Sequence, residues 1–255
     1  MAFETDRQPL GRGFAQPRGW ADTGVAAGEV DLGLRKYLLG VYNYMASGLL
    51  LSGIVALTVA NTSLLNLFFQ YHNGRLGYTG LGMLAIFAPL GLIFYMSYTW
   101  QNRKTQTLQA LYWAFVALMG VGLTVPLLAY TGVSVAQTFF VTAIAFGGLS
   151  LYGYTTKRDL SGMATFLMMG LIGVVVASLI NMFIHSSGMQ FVVSVIGVLV
   201  FAGLTAYDTQ NLKRTYYAIG GGSVQDNSAI MGAVQLYLNF VNLFQLLLMF
   251  MGDRR

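Results

Sequence analysis

Asp208 is the residue in this sequence whose setting best suits ion or proton chemistry. It is the one carboxylate in a long apolar segment that ends in FAGLTAYDTQNLKR, Phe201–Arg214. An ionisable group at the centre of a bilayer costs roughly 2.5 to 3.5 kcal/mol and is by default a functional candidate. Asp208 precedes Lys213 by about 7.5 Å along a helix, which places it toward the membrane interface and lowers that cost. Two interpretations stay open: a buried titratable site, or an aspartate that pairs with Lys213 or Arg214 or caps a helix break.

Three amides on the last apolar segment give Asp208 a potential partner. In AVQLYLNFVNLFQLLLMF they recur at i, i+4 and i+7 and therefore share one helical face. Amides buried in hydrocarbon need hydrogen-bond partners, which Asp208 and its own helix can supply. The predicted site is Asp208 with Asn239, supported by Thr205, Asn211, Gln235 and Asn242. The alternative is that these amides only join helices, at about 1 kcal/mol per contact, without any permeation.

Other side chains offer weaker candidates. Ser178, Asn181 and His185 form a second polar face, but His185 falls in a predicted outer loop and is interpreted as a solvated histidine. Ser150 follows Gly-Leu as an intramembrane protease serine does, yet the histidines are predicted on the opposite side, beyond the reach that a general base needs. No His, Asp or Glu cluster has metal-ligand spacing. We expect no catalytic residues, no dedicated metal site and no cofactor.

Composition defines the class of protein that must position these groups. Of the 255 residues, 56% are hydrophobic and 9% are charged, against about 25% charged in soluble domains. The chain has no cysteine, so disulfides and thiolate metal sites are excluded. The net charge of +5 comes from basic pairs between apolar segments, without the aromatic-interleaved patch of nucleic-acid-binding proteins. The sequence predicts an all-α polytopic membrane protein that does not bind nucleic acid.

Seven segments are long enough to cross a bilayer, which needs about 20 apolar residues. They are residues 37–60, 79–99, 107–130, 134–154, 161–184, 189–211 and 229–251. Residues 1–35 are interpreted as a flexible cytoplasmic tail, 36–252 as one membrane domain and 253–255 as a basic C-terminal tail. Lys and Arg pairs in every second connection place the N-terminus in the cytoplasm by the positive-inside rule. A full seventh crossing puts Arg254 and Arg255 outside, so whether that segment spans or re-enters stays open.

Several motifs resemble the Bax inhibitor-1 (transmembrane Bax inhibitor motif) family, within it the bacterial YccA/YbhL-like branch. The motifs are VYNYMASGLLLSG, APLGLIFYMS, FGGLSLYGYTTKRDLS and FAGLTAYDTQNLK, and the resemblance covers about residues 36–252. It implies a bacterial inner-membrane protein with six transmembrane helices around a central seventh helix, spanning or re-entrant. It also implies a pH-sensitive calcium leak in some members, built on an aspartate pair.

The sequence departs from that pattern at one half of the pair. Asp208 occupies the first aspartate position, whereas Asn239 stands where the family has the second. Two close carboxylates can share one proton and titrate as a coupled pair, and a carboxylate beside an amide cannot. A basic latch on the second helix, present in some members, is also missing, since residues 79–99 contain no Lys or Arg.

Two functions are therefore carried forward. The first is a non-enzymatic membrane protein whose Asp208 site passes Ca²⁺ or protons through a closed or weakly conducting seam. The alternative is a non-conducting regulator or accessory subunit of a larger membrane complex, such as a membrane-anchored AAA protease of the FtsH type, which the YccA-like branch implies. The absent second aspartate and the N-terminal tail favour that alternative.

Overall fold

The fold is a bundle of long helices, seen in a computed structural model that describes residues 22–72, 75–219 and 222–255. Within those residues, seven helices are long and apolar enough to cross a membrane. The long helices are α1 (Asp22–Asn61), α3 (Gly80–Thr99), α4 (Thr105–Ala129), α5 (Gly132–Thr155), α6 (Ser161–Ile184), α7 (Ser187–Ala218) and α8 (Ser223–Met251). Between α1 and α3 lie the short helix α2 (Leu65–Phe68) and an antiparallel hairpin of β1 (Phe69–His72) and β2 (Arg75–Tyr78). The predicted all-α membrane class is confirmed.

Local side-chain caps set where three of the helices begin. The Thr79, Thr131 and Ser186 side chains accept hydrogen bonds from backbone N–H groups in the first turns of α3, α5 and α7. Such caps satisfy donors that a helix start leaves unpaired. His185 ends α6 in the left-handed region, with φ of 57°. The connections that contain these residues are short.

The central position predicted for the last segment is the one that α8 occupies. It packs against α7, α1, α5 and α4, whereas α6 packs mainly on α7 and α3 mainly on α4. Ile230, Leu236 and Tyr237 of α8 are completely buried. The Tyr237 hydroxyl lies 2.6 Å from the Ser52 hydroxyl, and Ser52 also donates to the Val116 carbonyl oxygen, so α8 is joined to α1 and α4 at mid-bundle.

Helix α8 runs from one end of the bundle to the other. At its start, the Asn227 side-chain amide donates to the carbonyl oxygens of Trp100 and Arg103 in the α3–α4 connection, at 2.7 and 2.8 Å. Beyond its end, Thr131 N–H donates to the Asp253 carbonyl and Arg255 N–H to the Ala129 carbonyl, both at 3.0 Å, at the α4–α5 connection. Because α4 separates those two connections, α8 traverses the bundle. Its 29 residues extend about 43 Å, more than the roughly 30 Å hydrocarbon core.

Regular structure extends into both of the segments that were predicted as tails. Helix α1 begins at Asp22, inside the segment predicted as a flexible tail, and residues 1–21 of that predicted tail lie outside the described residues. At the other end, residues 253–255 pair with the α4–α5 connection through backbone hydrogen bonds and an isolated bridge between Tyr130 and Arg254. The C-terminal residues are thus part of the packed bundle.

Candidate functional site

Asp208 and Asn239 meet between α7 and the central helix α8. The Asn239 Nδ2 donates to Asp208 Oδ2 at 2.7 Å, and Asn239 is buried while Asp208 is half-buried. Helix α7 continues unbroken to Ala218, so Asp208 lies about 9 Å along its axis from Arg214. The carboxylate therefore sits inside the bundle, one to two turns from the charged groups at the end of α7. The predicted contact between the two helices is present.

The charged neighbours that could have neutralised Asp208 are engaged elsewhere. Arg214 forms an ion pair with Asp159 of the α5–α6 connection, and the Lys213 ammonium lies 5.5 Å from the centre of the Tyr154 ring. Among the described residues, Asp208 has no ion-pair partner. Since α7 has no break at Asp208 either, both structural interpretations of this aspartate, as an ion-pair member or as a cap, fail in this structure.

The supporting residues divide into buried and exposed groups. Thr205 is completely buried, and its hydroxyl donates to the Phe201 carbonyl oxygen at 2.7 Å, a bond within α7. Asn211 and Asn242 are half-buried, without side-chain hydrogen bonds to described residues. Gln235 is exposed, although its neighbours Val234 and Leu236 are buried, so it lies on a face of α8 that the described residues leave open. The three amides therefore do not form one continuous buried seam, and the polar contact narrows to Asp208 and Asn239.

Two further polar side chains adjoin the site. Thr209 is completely buried, donates to the Thr205 carbonyl at 2.9 Å and lies 3.4 Å from the Tyr42 hydroxyl of α1. Hydroxyl groups inside helices commonly bond the carbonyl four residues earlier, so Thr205 and Thr209 are satisfied without a ligand. Sequence reasoning passed over Thr209, although a threonine next to the single buried aspartate was a usable signal. Tyr42 lies on a distant segment, and no pattern in the sequence connects it with Asp208.

An apolar cluster closes the seam on one side of the site. It contains Leu167, Val200, Phe201, Leu204, Leu243 and Leu246, from α6, α7 and α8. Along α7 and α8 these residues come between the Asp208–Asn239 contact and the end of the bundle where α6 meets α7. Water and ions have no polar path through such packing, so the structure is that of a closed seam.

A polar cavity of about 380 Å³ lies beyond that cluster, in the same three-helix seam. Its lining includes the predicted second polar face and the penultimate arginine of the chain: Ser178, Asn181, His185, Gln190 and Arg254. Asn181 Oδ1 accepts from Ser186 N–H at 3.0 Å, which fixes the turn from α6 into α7. The structure thus brings Ser178, Asn181 and His185 to one cavity, separated from Asp208 by the apolar cluster.

Gln210 and Arg214, two and six residues beyond Asp208, attach the α5–α6 connection to α7. Gln210 is buried, accepts from Leu160 N–H at 2.9 Å and donates to the Arg158 carbonyl at 2.8 Å. The Arg214 guanidinium, aided by the hydrogen bonds of Ser161, holds the pKa of Asp159 well below its ordinary value. Asp208 is therefore on a helix that is held firmly at this end.

Metal and serine chemistry have little support in the described part of the chain. No group of three or more His, Cys, Asp or Glu residues lies close enough to hold a metal ion there. Ca²⁺ takes six to eight oxygen ligands, and Asp208 offers one carboxylate. Ser150 on α5 is buried with no hydrogen-bond partner for its hydroxyl among the described residues. No described histidine side chain adjoins that hydroxyl, as a nucleophilic serine would require.

Comparisons with known proteins agree with the resemblance in the motifs. A family profile described as inhibitor of apoptosis-promoting Bax1 matches residues 34–255. A protein of Caulobacter vibrioides is 51% identical over 230 residues, covering 89% of this chain and 92% of the relative. The inner membrane protein YbhL of Escherichia coli K12 is 41% identical over 256 aligned positions, covering 98% and 100% of the two chains. A membrane protein of Streptococcus pyogenes serotype M1 is 36% identical, with coverage of 88% and 95%.

Proposed function

Because the chain belongs to the Bax inhibitor-1 family, we propose that it is a non-catalytic, multi-pass inner-membrane protein whose α6, α7 and α8 form a closed, acid-sensitive leak pathway. The observation that carries the proposal is the 2.7 Å hydrogen bond between Asn239 and Asp208, a carboxylate inside the bundle without an ion-pair partner among the described residues. The proposed pathway joins the polar cavity near His185, the apolar cluster and Asp208, in that order.

Placement in the inner membrane, with the N-terminus in the cytoplasm, rests on the relative and on charge. The Escherichia coli relative is an inner membrane protein. The basic pairs Arg35/Lys36, Arg103/Lys104, Lys157/Arg158 and Lys213/Arg214 all fall at the end of the bundle where α1 begins. Cytoplasmic connections carry the excess of Lys and Arg, so this end faces the cytoplasm in our proposal.

Acid sensitivity follows from the chemistry of the contact. An ionised carboxylate makes a charge-assisted hydrogen bond, roughly twice as strong as a neutral one. Protonation of Asp208 would replace the charge-assisted hydrogen bond to Asn239 with a weaker, neutral one, at the point where α7 and α8 are joined. Separation of the two helices would then loosen Leu204 from Leu243 and open the seam toward the polar cavity.

We propose the proton as the permeating ion, in preference to Ca²⁺. A proton needs one titratable group and a chain of polar contacts, whereas Ca²⁺ needs a cage of oxygen ligands. The polar cavity also contains Arg254, whose positive charge opposes the entry of a divalent cation.

The test is ion flux into liposomes that contain the purified protein. A trapped pH dye reports proton entry after an external acid jump, and a trapped calcium dye reports Ca²⁺ in parallel vesicles. We expect wild-type protein to accelerate proton entry below neutral pH and Asp208→Asn to reduce it to the rate of protein-free vesicles. The double variant Asp208→Asn/Asn239→Asp exchanges the two groups, keeps one carboxylate and one amide in contact, and should retain flux.

Two results would remove the conduction proposal. One is wild-type flux equal to that of protein-free vesicles at every pH, and the other is an unchanged flux in Asp208→Asn. Calcium entry comparable to proton entry would overturn the choice of ion. The single variant Asn239→Asp creates the two-carboxylate arrangement and is expected to make flux more steeply pH-dependent than in wild type.

A second function, docking on a larger membrane complex, is favoured by the position of α6. Only Leu167 and Val174 of α6 are buried, Leu171 is half-buried against the apolar cluster, and the other large apolar side chains of α6 are exposed. A peripheral apolar helix suits lateral association with another membrane protein, such as a membrane-anchored AAA protease. Affinity purification in mild detergent tests this function, and recovery only as a free monomer would contradict it.

A further inference from the structure

An apolar groove of about 590 Å³ lies between α1 and α5, away from the Asp208 contact. Leu39 and Ala46 line it from α1, Gly147 and Leu151 from α5, and Phe240 of the central helix α8 also contributes. The volume is within the roughly 300 to 1,000 Å³ of small-molecule sites. Leu39 and Leu151 are both more than half exposed, so the groove opens sideways toward the bilayer.

Positive charge is concentrated at one end of this groove. Arg35 is exposed and lines the groove where α1 enters the bundle. Tyr154, at the end of α5, lines it as well and carries the Lys213 ammonium 5.5 Å from its ring centre. The rest of the lining is almost entirely apolar. An amphiphile with a negative head and a hydrocarbon chain matches this distribution of charge.

The length of the groove also matches a lipid. From Arg35 to Leu49 the lining residues of α1 cover about 21 Å of helix. One leaflet contributes about 15 Å of the roughly 30 Å hydrocarbon core, and its headgroup region adds the remainder. A phospholipid with its phosphate at Arg35 would therefore extend its acyl chain along the groove toward Leu49.

We propose that the groove between α1 and α5 binds an anionic phospholipid from the leaflet at the Arg35 end, with the phosphate at Arg35 and one acyl chain beside Phe240. Guanidinium groups suit phosphate because their donors match its oxygens in pairs. The bound chain would cover the gap that separates α1 from α5 over the central helix. The lipid site is distinct from the Asp208–Asn239 contact, since neither residue lines the groove and only Tyr42 belongs to the surroundings of both.

Two adjacent glycines on α5 provide a matched pair of variants. A Cβ at Gly147 or at Gly148 meets nothing within 4 Å, and both positions are exposed. Only Gly147 lines the groove. Gly147→Leu therefore places a side chain in the groove from a position whose Cβ meets no neighbour, and Gly148→Leu adds the same side chain outside it. Ala46→Leu fills the groove from the α1 side if the first variant folds poorly.

The experiment uses nanodiscs of phosphatidylcholine that contain a minor fraction of phosphatidylglycerol with a photoreactive group at the end of one acyl chain. After illumination, adducts on the protein are mapped by mass spectrometry. We expect adducts concentrated near Leu49 on α1 and Ala143 on α5, at least fivefold fewer in Gly147→Leu, and within twofold of wild type in Gly148→Leu. Arg35→Gln should lower labelling to the level of the same probe on phosphatidylcholine.

Several outcomes would overturn the proposal. Adducts spread evenly over α3, α6 and the groove would indicate ordinary surrounding lipid. Equal labelling by the phosphatidylglycerol and phosphatidylcholine probes in wild type would show that the groove has no preference for an anionic headgroup. Equal labelling of wild type, Gly147→Leu and Ala46→Leu would show that no acyl chain binds in the groove. Cross-links from the groove to a second copy of the chain would show that the groove is a dimer interface.

Discussion

The carboxylate of Asp208 and the amide of Asn239 form a complementary pair. An ionised carboxylate only accepts hydrogen bonds, and an amide NH₂ donates them, so the pair needs no shared proton. Two carboxylates at the same distance would repel unless one of them held a proton. The residue at position 239 therefore decides how α7 and α8 are joined: by a hydrogen bond from an amide to a carboxylate, or by two carboxyl groups that share a proton.

Asp159 gives a prediction about pH outside the membrane segments. The hydrogen bond from Arg214 is the largest cause that holds the Asp159 pKa below its ordinary value of about 3.9, followed by the Ser161 hydrogen bonds. A lowered folded-state pKa stabilises the fold above the ordinary value, and that contribution is lost as the pH falls through the folded pKa. We expect the attachment of the α5–α6 connection to be independent of pH from about 5 to 8 and to weaken only below about pH 4.

The variant Arg214→Gln tests the cause of this shift. It should raise the Asp159 pKa toward the ordinary value, as measured by carbon NMR of the side-chain carboxyl in micelles. Arg158→Gln is the control, because Arg158 contributes only its backbone carbonyl to the Gln210 contact. An equal rise in both variants would show that the general positive charge of this end, and not the Arg214 contact, lowers the pKa.

The approach of α5 to α7 depends on a missing side chain at Gly153. A Cβ at this position would collide with the Ala206 carbonyl oxygen of α7, which is backbone and cannot rotate away. Small residues allow such close helix contacts in membranes, where packing drives association. The contact lies within one turn of Asp208 and so helps to hold α7 where Asn239 can reach it.

We therefore predict that Gly153→Ala separates the two helices and destabilises the protein. Overpacking costs typically 1 to 3 kcal/mol, and we expect a loss in this range despite the better helix propensity of alanine. Gly148→Ala on the same helix meets nothing within 4 Å and should be neutral or slightly stabilising. Thermal unfolding in detergent, followed by circular dichroism, makes the comparison. A Gly153→Ala variant as stable as Gly148→Ala would show that the interface adapts freely.

Hydropathy predicted the helices well because each crossing requires its own apolar run. Hydropathy predicted the ends of the helices less well, because polar contacts determine where a helix ends. Helix α7 continues past the predicted end at residue 211 to Ala218, and there Gln210 and Arg214 are bound to the α5–α6 connection. Periodicity likewise placed Gln235 on the same helical face as Asn239. It does not show which parts of that face are packed against a neighbouring helix.

The hairpin between α1 and α3 was missed, although the sequence contains a signal for it. Asn73-Gly74 is a strong hairpin dipeptide when it lies between β-forming residues. The course of α8 was undecidable from charge, because two terminal arginines oppose the positive-inside pattern. In the structure Arg254 lies 5.8 Å from the centre of the Tyr130 ring, and the backbone around it pairs with the α4–α5 connection. Such contacts across the fold cannot be seen in one sequence.

The path of α8 leads to a prediction for the whole molecule: the C-terminus and the α3–α4 connection are on opposite sides of the membrane. The chain has no cysteine, so single cysteines introduced at exposed positions are unique labels. Gln101→Cys marks the α3–α4 connection, Val133→Cys the start of α5, and Arg255→Cys the C-terminus. A membrane-impermeant maleimide added to intact cells should label the cysteines at 133 and 255 and leave the one at 101 unlabelled until the cells are lysed.

The physical reason is that Asp253 and Arg255 are hydrogen-bonded to the α4–α5 connection, so residues 133 and 255 must share a side. Labelling of residue 255 together with residue 101 would mean that α8 re-enters, and Asn239 would then have to approach Asp208 from the other direction along α7.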